Sequence, residues 1–251
     1  MSLRFLRRAV ALGLVLSAAV LRYWMIRARG PLTLQRRALW LQDTCIRVLR
    51  SMGIRCEVEG RIPTNGLVVA NHLSYLDVVI LSAAMPCFFV AKSEIGDWPY
   101  FGRAARAGGS LFLDRSRRSS TEKVSVLIGE RLKLPVPVLF FPEGTSTEGT
   151  MLKFHSSLFE PAVRDGAPVT AVAIRYVMED GTPERELCWF GDEKFVSHLA
   201  KTLKSPGFDA QLRFGEPRIY KDRRKAAAET FAEIAALREA ASAEAKSLQH
   251  A

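Results

Sequence analysis

Short apolar runs alternate with helical patterns along the chain from about residue 56 onward. Strand patterns occupy residues 67–70, 88–91, 110–113, 137–141 and 169–176, with weaker ones at 187–190 and 210–214. Helical patterns occupy residues 74–84, 118–134, 156–164 and 222–248. Because strands that alternate with helices form layered sheets, the sequence predicts a single α/β domain with a mixed, largely parallel sheet flanked by helices.

The N-terminal segment has a different pattern. Residues 9–21 carry no charge, and three arginines precede them. As a helix this run is about 20 Å long, which is shorter than a hydrocarbon core of roughly 30 Å. Extension through Arg22 adds Tyr23 and Trp24, residues that are frequent at membrane interfaces. The segment is predicted either to span a membrane barely or to enter one leaflet. A secretory signal is the alternative.

A second apolar stripe runs through residues 31–52, with polar and charged residues between its members. The stripe consists of Leu34, Leu41, Cys45, Val48, Leu49 and Met52. This spacing predicts an amphipathic helix that lies on a membrane surface. A surface helix packed on the domain is the alternative.

Composition and charge narrow the choice of partner. With 48% hydrophobic and 25% charged residues, the chain has a globular balance. Residues 1–61 contain twelve arginines, no lysine and three acidic residues, and so carry most of the net charge of +10. Because apolar residues separate these arginines, a phospholipid surface is favoured and nucleic acid is excluded as a partner. The four cysteines have no metal-ligand spacing, so neither a zinc cluster nor a disulfide framework is expected.

Polar and charged residues that could take part in catalysis or substrate binding cluster at three of the predicted strands. The clusters are Asn71–Asp77, Gly108–Arg115 and Phe141–Thr145. In parallel sheets, sites gather at the carboxyl ends of the strands. The sequence therefore predicts one site assembled from these clusters.

The clusters resemble the motifs of the glycerolipid acyltransferase family, typified by 1-acylglycerol-3-phosphate acyltransferase. NHxxxxD is matched by Asn71, His72 and Asp77, and FPEGT by residues 141–145. A strand that ends in Arg115 resembles the second motif, and residues 168–173 resemble the fourth. The resemblance covers about residues 65–180. Where this family often has arginine after FPEGT, the chain has Ser146, as in lyso-ornithine lipid acyltransferases.

The resemblance implies transfer of an acyl group from acyl-CoA or acyl-carrier protein to the free hydroxyl of a lysophospholipid, with no cofactor. The first expected acceptor is 1-acylglycerol-3-phosphate, which would give phosphatidic acid. Lyso-ornithine lipid or another lysolipid is the alternative acceptor. A non-catalytic, membrane-attached lipid-binding module is the alternative of another class.

His72 is the predicted general base, because a neutral imidazole is the usual base for a hydroxyl. Asp77 is predicted to orient it, although a capping role for Asp77 at a helix start is the structural alternative. Five helical residues turn through about 500°, so His72 is expected just before the helix that carries Asp77. No serine or cysteine nucleophile is evident, which favours direct attack by the acceptor.

The remaining predicted site residues bind substrate. Arg115 is expected at the acceptor phosphate, with help from Lys92, although Arg115 as a solvated charge is the alternative. The resemblance assigns Glu143, Gly144 and Thr145 to acceptor binding, and a simple turn is the alternative there.

Two further expectations complete the prediction. Residues 1–55 form a membrane-anchoring segment, and residues 56–251 form the catalytic domain, with the motifs in residues 65–180. The protein is expected on the cytoplasmic face of the inner membrane.

Overall fold

The computed structural model describes residues 2–98, 100–114 and 116–248. Within these residues the helices, in chain order, are α1 (Leu3–Ala28), α2 (Leu34–Met52), α3 (Leu76–Ala84), α4 (Phe101–Gly108), α5 (Arg118–Leu132), α6 (Glu160–Asp165), α7 (Phe195–Lys204) and α8 (Arg223–Leu248). The strands are β1 (Ile54–Glu59), β2 (Leu67–Ala70), β3 (Phe88–Lys92), β4 (Leu111–Leu113), β5 (Val138–Phe140), β6 (Val169–Val177) and β7 (Phe208–Phe214).

The strands form one mixed sheet in the order β1-β7-β6-β2-β5-β3-β4. Neighbouring strands are parallel except β6 and β7, which are antiparallel. The predicted α/β fold with a largely parallel sheet is therefore confirmed. Because β2, β5 and β3 are parallel neighbours, the segments that follow them meet at the same edge.

Two apolar cores cover the two faces of the sheet. On one face Leu76 and Ile80 of α3 pack with Leu41 and Val48 of α2. On the other face Ile128 of α5 belongs to a core that also includes residues of α6 and α8. The central strand β2 is apolar and fully buried, because both of its faces are covered by helices.

Helix α2 forms as predicted, but its apolar face does not lie on a membrane. Thr33 caps its start, and Gly53, with a φ of 73°, ends it in the left-handed conformation. Its apolar face belongs to the buried core that α2 shares with α3. The alternative interpretation, a helix packed on the domain, is therefore the one that the structure supports. The predicted segment boundary at residue 55 falls inside β1, which pairs with β7.

Helix α1 is continuous from Leu3 to Ala28 and packs on the protein along one side. Trp40 donates an indole hydrogen bond to the carbonyl of Ala19, at 3.0 Å. Arg8 donates to the carbonyls of Ser205 and Pro206 beside α7. By length and composition α1 is the one helix in the described ranges that could cross a membrane.

One predicted strand is wrong, and two helices were not predicted. Residues 187–190 are not a strand, because the chain forms a short 3₁₀ turn over Glu184–Leu187 and then runs irregularly. Trp189 there packs its ring on Tyr75 and Trp98, and its backbone N–H bonds to Leu73. The apolar residues of this segment cover an aromatic cluster instead of pairing in the sheet. Helices α4 and α7 are short, and no helical pattern was recognised there.

Candidate active site

The first and third motifs meet at the carboxyl edge of the sheet. His72 lies just beyond the end of β2, and the neighbouring strand β5 leads into Phe141 and Glu143. The carbonyl of His72 accepts a hydrogen bond from the backbone N–H of Thr147, at 2.9 Å. Two clusters that are about 70 residues apart in sequence therefore form one continuous surface.

His72 and Asp77 are in direct contact. The Nδ1 atom of His72 lies 2.8 Å from Oδ2 of Asp77. Asp77 stands in the first turn of α3, and His72 precedes that helix, as the sequence predicts. Because a carboxylate only accepts, Nδ1 is the protonated nitrogen when the imidazole is neutral, and the lone pair is then on Nε2. The Asp77 side chain is fully buried, whereas that of His72 is 18% exposed, which leaves the imidazole accessible.

Asp77 also caps the start of α3. Its Oδ2 atom accepts the backbone N–H groups of Leu73, at 2.7 Å, and Ser74, at 3.0 Å. Its Oδ1 atom accepts a hydrogen bond from the hydroxyl of Tyr176 on β6. One carboxylate thus contacts both the His72 ring and the backbone before α3, and its role in orienting His72 stays a prediction.

The His72 ring is held between fixed groups. It stacks on Phe141 with ring centroids 4.0 Å apart and an angle of 9° between the planes. Its backbone N–H donates to Oε1 of Glu143 at 2.9 Å. Stacking and the Asp77 contact together limit rotation of the imidazole, so Nε2 has a defined direction.

A cavity of about 250 Å³ lies next to this ring stack. Its lining comprises Leu113, Thr121, Phe140, Phe141, Pro142, His155, Ser157 and Leu158. Apart from His155 and two hydroxyl side chains the lining is apolar, and Phe141 contacts both the cavity and His72. His155 had no predicted role, because a lone histidine outside a motif gives no signal in the sequence.

Glu143 braces the loop that carries the third motif. Its two carboxylate oxygens accept the backbone N–H groups of His72 and Leu152, each at 2.9 Å. Burial raises the pKa of Glu143, and these two hydrogen bonds oppose that change. The contacts seen for Glu143 are thus to backbone, and its role in acceptor binding stays a prediction.

Three other predicted substrate-binding residues, Gly144, Thr145 and Lys92, lie at the same edge. Gly144 adopts a φ of 81°, which a residue with a side chain rarely adopts, and Thr145 beside it is exposed. Lys92 is exposed at the end of β3, which is separated from β2 by β5. Arg115 lies outside the described residues. The acceptor-binding roles of these four residues stay predictions.

Two residues of the site were missed at the sequence level. Tyr176 lies next to the last residue of β6, the strand that carries the fourth motif, and no motif position marks it. Asn71 was recognised only as a motif position. Its side chain exchanges two hydrogen bonds with the backbone of Ile174, at 2.7 and 3.1 Å, and so ties the end of β2 to β6.

Comparison with known proteins identifies relatives of the chain. Residues 53–175 match a family model described as acyltransferase. A lyso-ornithine lipid O-acyltransferase of Pseudomonas aeruginosa is 34% identical over 221 residues, covering 84% of this chain and 83% of that protein. One of Rhodobacter capsulatus is 37% identical over 165 residues, covering 63% and 58% respectively. A 1-acyl-sn-glycerol-3-phosphate acyltransferase of Neisseria meningitidis is 40% identical over 138 residues, covering 53% and 54%.

A solved structure shares the fold. The crystal structure of the 1-acyl-sn-glycerophosphate acyltransferase PlsC from Thermotoga maritima superposes with a TM-score of 0.64 at 19% sequence identity. The superposition covers 92% of this chain and 95% of that one. The sequence relatives and the motif geometry lead to the same conclusion: this chain is an enzyme of the acyltransferase family.

Proposed function

We propose that the chain transfers an acyl group from a thioester to the free hydroxyl of a lysolipid, with His72 as the general base. The observation that carries this proposal is the 2.8 Å contact between Nδ1 of His72 and the buried carboxylate of Asp77. That contact fixes the tautomer in which Nε2 can accept a proton.

The reaction follows from this geometry in two steps. Nε2 of His72 takes the proton from the acceptor hydroxyl while the hydroxyl oxygen attacks the thioester carbonyl. The tetrahedral intermediate then expels the thiolate, which takes the proton back from the imidazolium. Asp77 stabilises the positive imidazolium between these steps, and it does so strongly because it is buried.

Transfer without an acyl-enzyme is supported by the state of the cysteines. Cys45 and Cys87 are buried. Burial raises the pKa of Cys45 to about 12 and also raises the pKa of Cys87 and Cys188. A thiol that stays protonated is a poor nucleophile, so direct attack by the acceptor is the simpler route.

Lyso-ornithine lipid is the acceptor that the comparisons favour. The relatives from Pseudomonas and Rhodobacter carry that name, and the former aligns over most of both chains. Ser146, in place of the arginine often found after the third motif, fits the same choice. The second candidate is 1-acylglycerol-3-phosphate. It is supported by the name of the Neisseria relative and by the basic residue Lys92, which suits a phosphate group.

Membrane attachment through α1 belongs to the same proposal. Large apolar side chains of α1 are exposed, among them Leu14 at 66% and Leu21 at 62%. Because soluble surfaces rarely collect such residues on one helix, a lipid leaflet is their expected partner. An enzyme with lipid substrates would then meet its acceptor at the membrane.

A thiol-release assay on the full chain tests the proposal. The assay offers lyso-ornithine lipid and 1-acylglycerol-3-phosphate in turn, each with acyl-CoA and with acyl-carrier protein. We expect acceptor-dependent thiol release, largest with lyso-ornithine lipid, and its loss in His72→Ala. Lipid binding without thiol release would favour the non-catalytic module, and an unchanged rate in His72→Ala would refute the base assignment.

A further inference from the structure

The hydroxyl of Tyr176 on β6 donates a hydrogen bond to Oδ1 of Asp77. The other oxygen, Oδ2, accepts from His72 and from two backbone N–H groups. Asp77 is 0% exposed and Tyr176 is 2% exposed, so the pair is shielded from bulk solvent. A buried carboxylate is expensive unless its lone pairs are satisfied, and the Tyr176 hydroxyl supplies a donor on the side opposite His72.

The position of Tyr176 is itself fixed from the far side of the domain. Its backbone N–H donates to Oε1 of Glu184 at 2.9 Å, and Oε2 of Glu184 lies 2.6 Å from Nη2 of Arg238 on α8. Arg238 also donates to the carbonyl of Ile174, two residues before Tyr176. The ring of Tyr176 packs on Phe208, with centroids 4.7 Å apart. The hydroxyl therefore reaches Asp77 from a rigid support.

We propose that Tyr176 is a positioning residue of the reaction, whose hydroxyl holds the Asp77 carboxylate in place and moderates the negative charge that it offers to His72. The inference rests on the proposed function, in which His72 is the base. A hydrogen bond to one carboxylate oxygen withdraws charge from the other. With Tyr176 present, Asp77 orients the imidazole of His72. The carboxylate then does not hold a proton on that imidazole so tightly that turnover slows.

The surroundings keep the hydroxyl protonated. Burial raises the pKa of Tyr176 well above its ordinary value, and the negative charge of Asp77 raises it further. The other titratable groups near the pair are Glu143 from the loop after β5, and Cys188 and Glu184 from the segment before α7, with Arg238 behind Glu184. Within the described residues, Glu143, Cys188 and Glu184 are not hydrogen-bonded to Asp77, whereas Tyr176 is, so Tyr176 is the group to change.

The test is Tyr176→Phe in the full chain, which keeps the ring and removes only the hydroxyl. We expect kcat to fall by about tenfold to a hundredfold, the usual effect of losing a hydrogen bond to a charged group. The KM for the acceptor should change little, because Tyr176 does not face the accessible side of His72. The ascending limb of the pH profile of kcat/KM should move up by about one pH unit, because the carboxylate then holds a proton on His72 more tightly.

A matched control is Tyr220→Phe, which removes a hydroxyl from another buried tyrosine, on the segment before α8. It should leave kcat and the pH profile unchanged. If Tyr176→Phe does not fold, a fluorinated tyrosine at position 176 replaces it. Its more acidic hydroxyl donates more strongly, so the ascending limb should move to lower pH.

The outcomes separate the inference from the function on which it rests. Wild-type kcat and pH profile in folded Tyr176→Phe, or no shift with the fluorinated residue, would overturn the role of Tyr176 alone. An unchanged rate in His72→Ala would overturn the proposed base, whatever Tyr176 does. A fall in kcat together with the shifted limb, absent from Tyr220→Phe, would support the inference.

Discussion

At the residue scale, Asp77 combines a structural and a chemical contact in one buried carboxylate. Its Oδ2 atom caps the start of α3 and also meets Nδ1 of His72. The sequence predicted the pair from the NHxxxxD motif and predicted its placement from helical geometry. It did not predict Tyr176 as the partner of Oδ1, because that contact joins a helix and a strand whose residues are 99 positions apart in sequence.

Replacement of Asp77 by asparagine should separate its two contacts. The amide oxygen of the variant side chain can still accept the backbone N–H groups, but the side chain no longer carries the charge that stabilises an imidazolium. We expect kcat of Asp77→Asn to fall by about a thousandfold or more, as for triads that lose this carboxylate. Acceptor-dependent thiol release measures kcat, and circular dichroism checks that the fold is kept. A loss of less than about threefold would show that Asp77 only caps the helix.

The identity of residue 146 should influence acceptor choice. Ser146 follows Thr145 in the third-motif loop and is half-buried. In Ser146→Arg a guanidinium would face an acceptor phosphate, so the kcat/KM ratio of 1-acylglycerol-3-phosphate to lyso-ornithine lipid should rise by about threefold to tenfold. Ser146→Gln, with a long but neutral side chain, is the control for size. An equal change in both variants, or no change in the ratio, would refute the role of charge here.

At the element scale, the spacing of apolar residues predicts that a segment is helical better than it predicts which surface its apolar face contacts. Residues 31–52 gave an apolar stripe that fits a lipid surface and a protein core equally well. The structure places Leu41 and Val48 in the core beneath α3. An apolar stripe indicates that the helix has an apolar partner, but it does not identify that partner. Here the partner is α3, which lies in a later segment of the chain. The irregular course of residues 187–190 has the same cause, since Trp189 is held by Tyr75 and Trp98.

The packing of α7 should make stability depend on pH. His198 is buried, with Nε2 at 3.1 Å from the carbonyl of Leu187 and Nδ1 at 3.2 Å from the hydroxyl of Tyr75. Burial lowers the pKa of His198 below its ordinary value of 6.5. The unfolded chain then binds more protons than the folded one, so the stabilising contribution is complete above pH 6.5 and is lost as pH falls through the lowered pKa.

This dependence can be measured by urea unfolding between neutral and mildly acidic pH. The free energy of unfolding of the wild type should fall as pH decreases below 6.5, where the unfolded imidazole takes up its proton. In His198→Gln the fall should be smaller, although the variant is less stable at neutral pH. His155→Gln is the control, and equal slopes in all three proteins would contradict the assignment.

At the scale of the whole molecule, the sequence predicted the layers but not their arrangement. Apolar runs identified β2, β3, β5 and β6 correctly. The order of the strands and the antiparallel pairing of β6 with β7 were not predictable, because strand patterns record burial and not neighbours. The edge strand β1 was missed, since Ile54 is its one buried residue and an exposed strand has little apolar signal.

The exposed side of α1 should bind lipid vesicles. Leu14 and Leu21 lie on that side, opposite the buried Leu12 and Ala19. The double variant Leu14→Asp, Leu21→Asp would have to bring two charges into the apolar layer of the membrane. Its cosedimentation with phosphatidylcholine–phosphatidylglycerol vesicles should therefore fall by about tenfold or more. Val196→Asp, at an exposed position of α7, should bind like the wild type. Equal binding by all three proteins would show that α1 is not the attachment site.

The hydrogen bonds between the first and third motifs involve the backbone of Thr147 and the carboxylate of Glu143. Thr147 reaches the carbonyl of His72 through its N–H, and Glu143 holds the N–H groups of His72 and Leu152. Since these bonds use neither Thr145 nor Ser146, exchanges at those two positions leave them intact. Substitutions at these two positions can therefore change what an acceptor headgroup meets in the loop, while the geometry of the His72–Asp77 pair is kept.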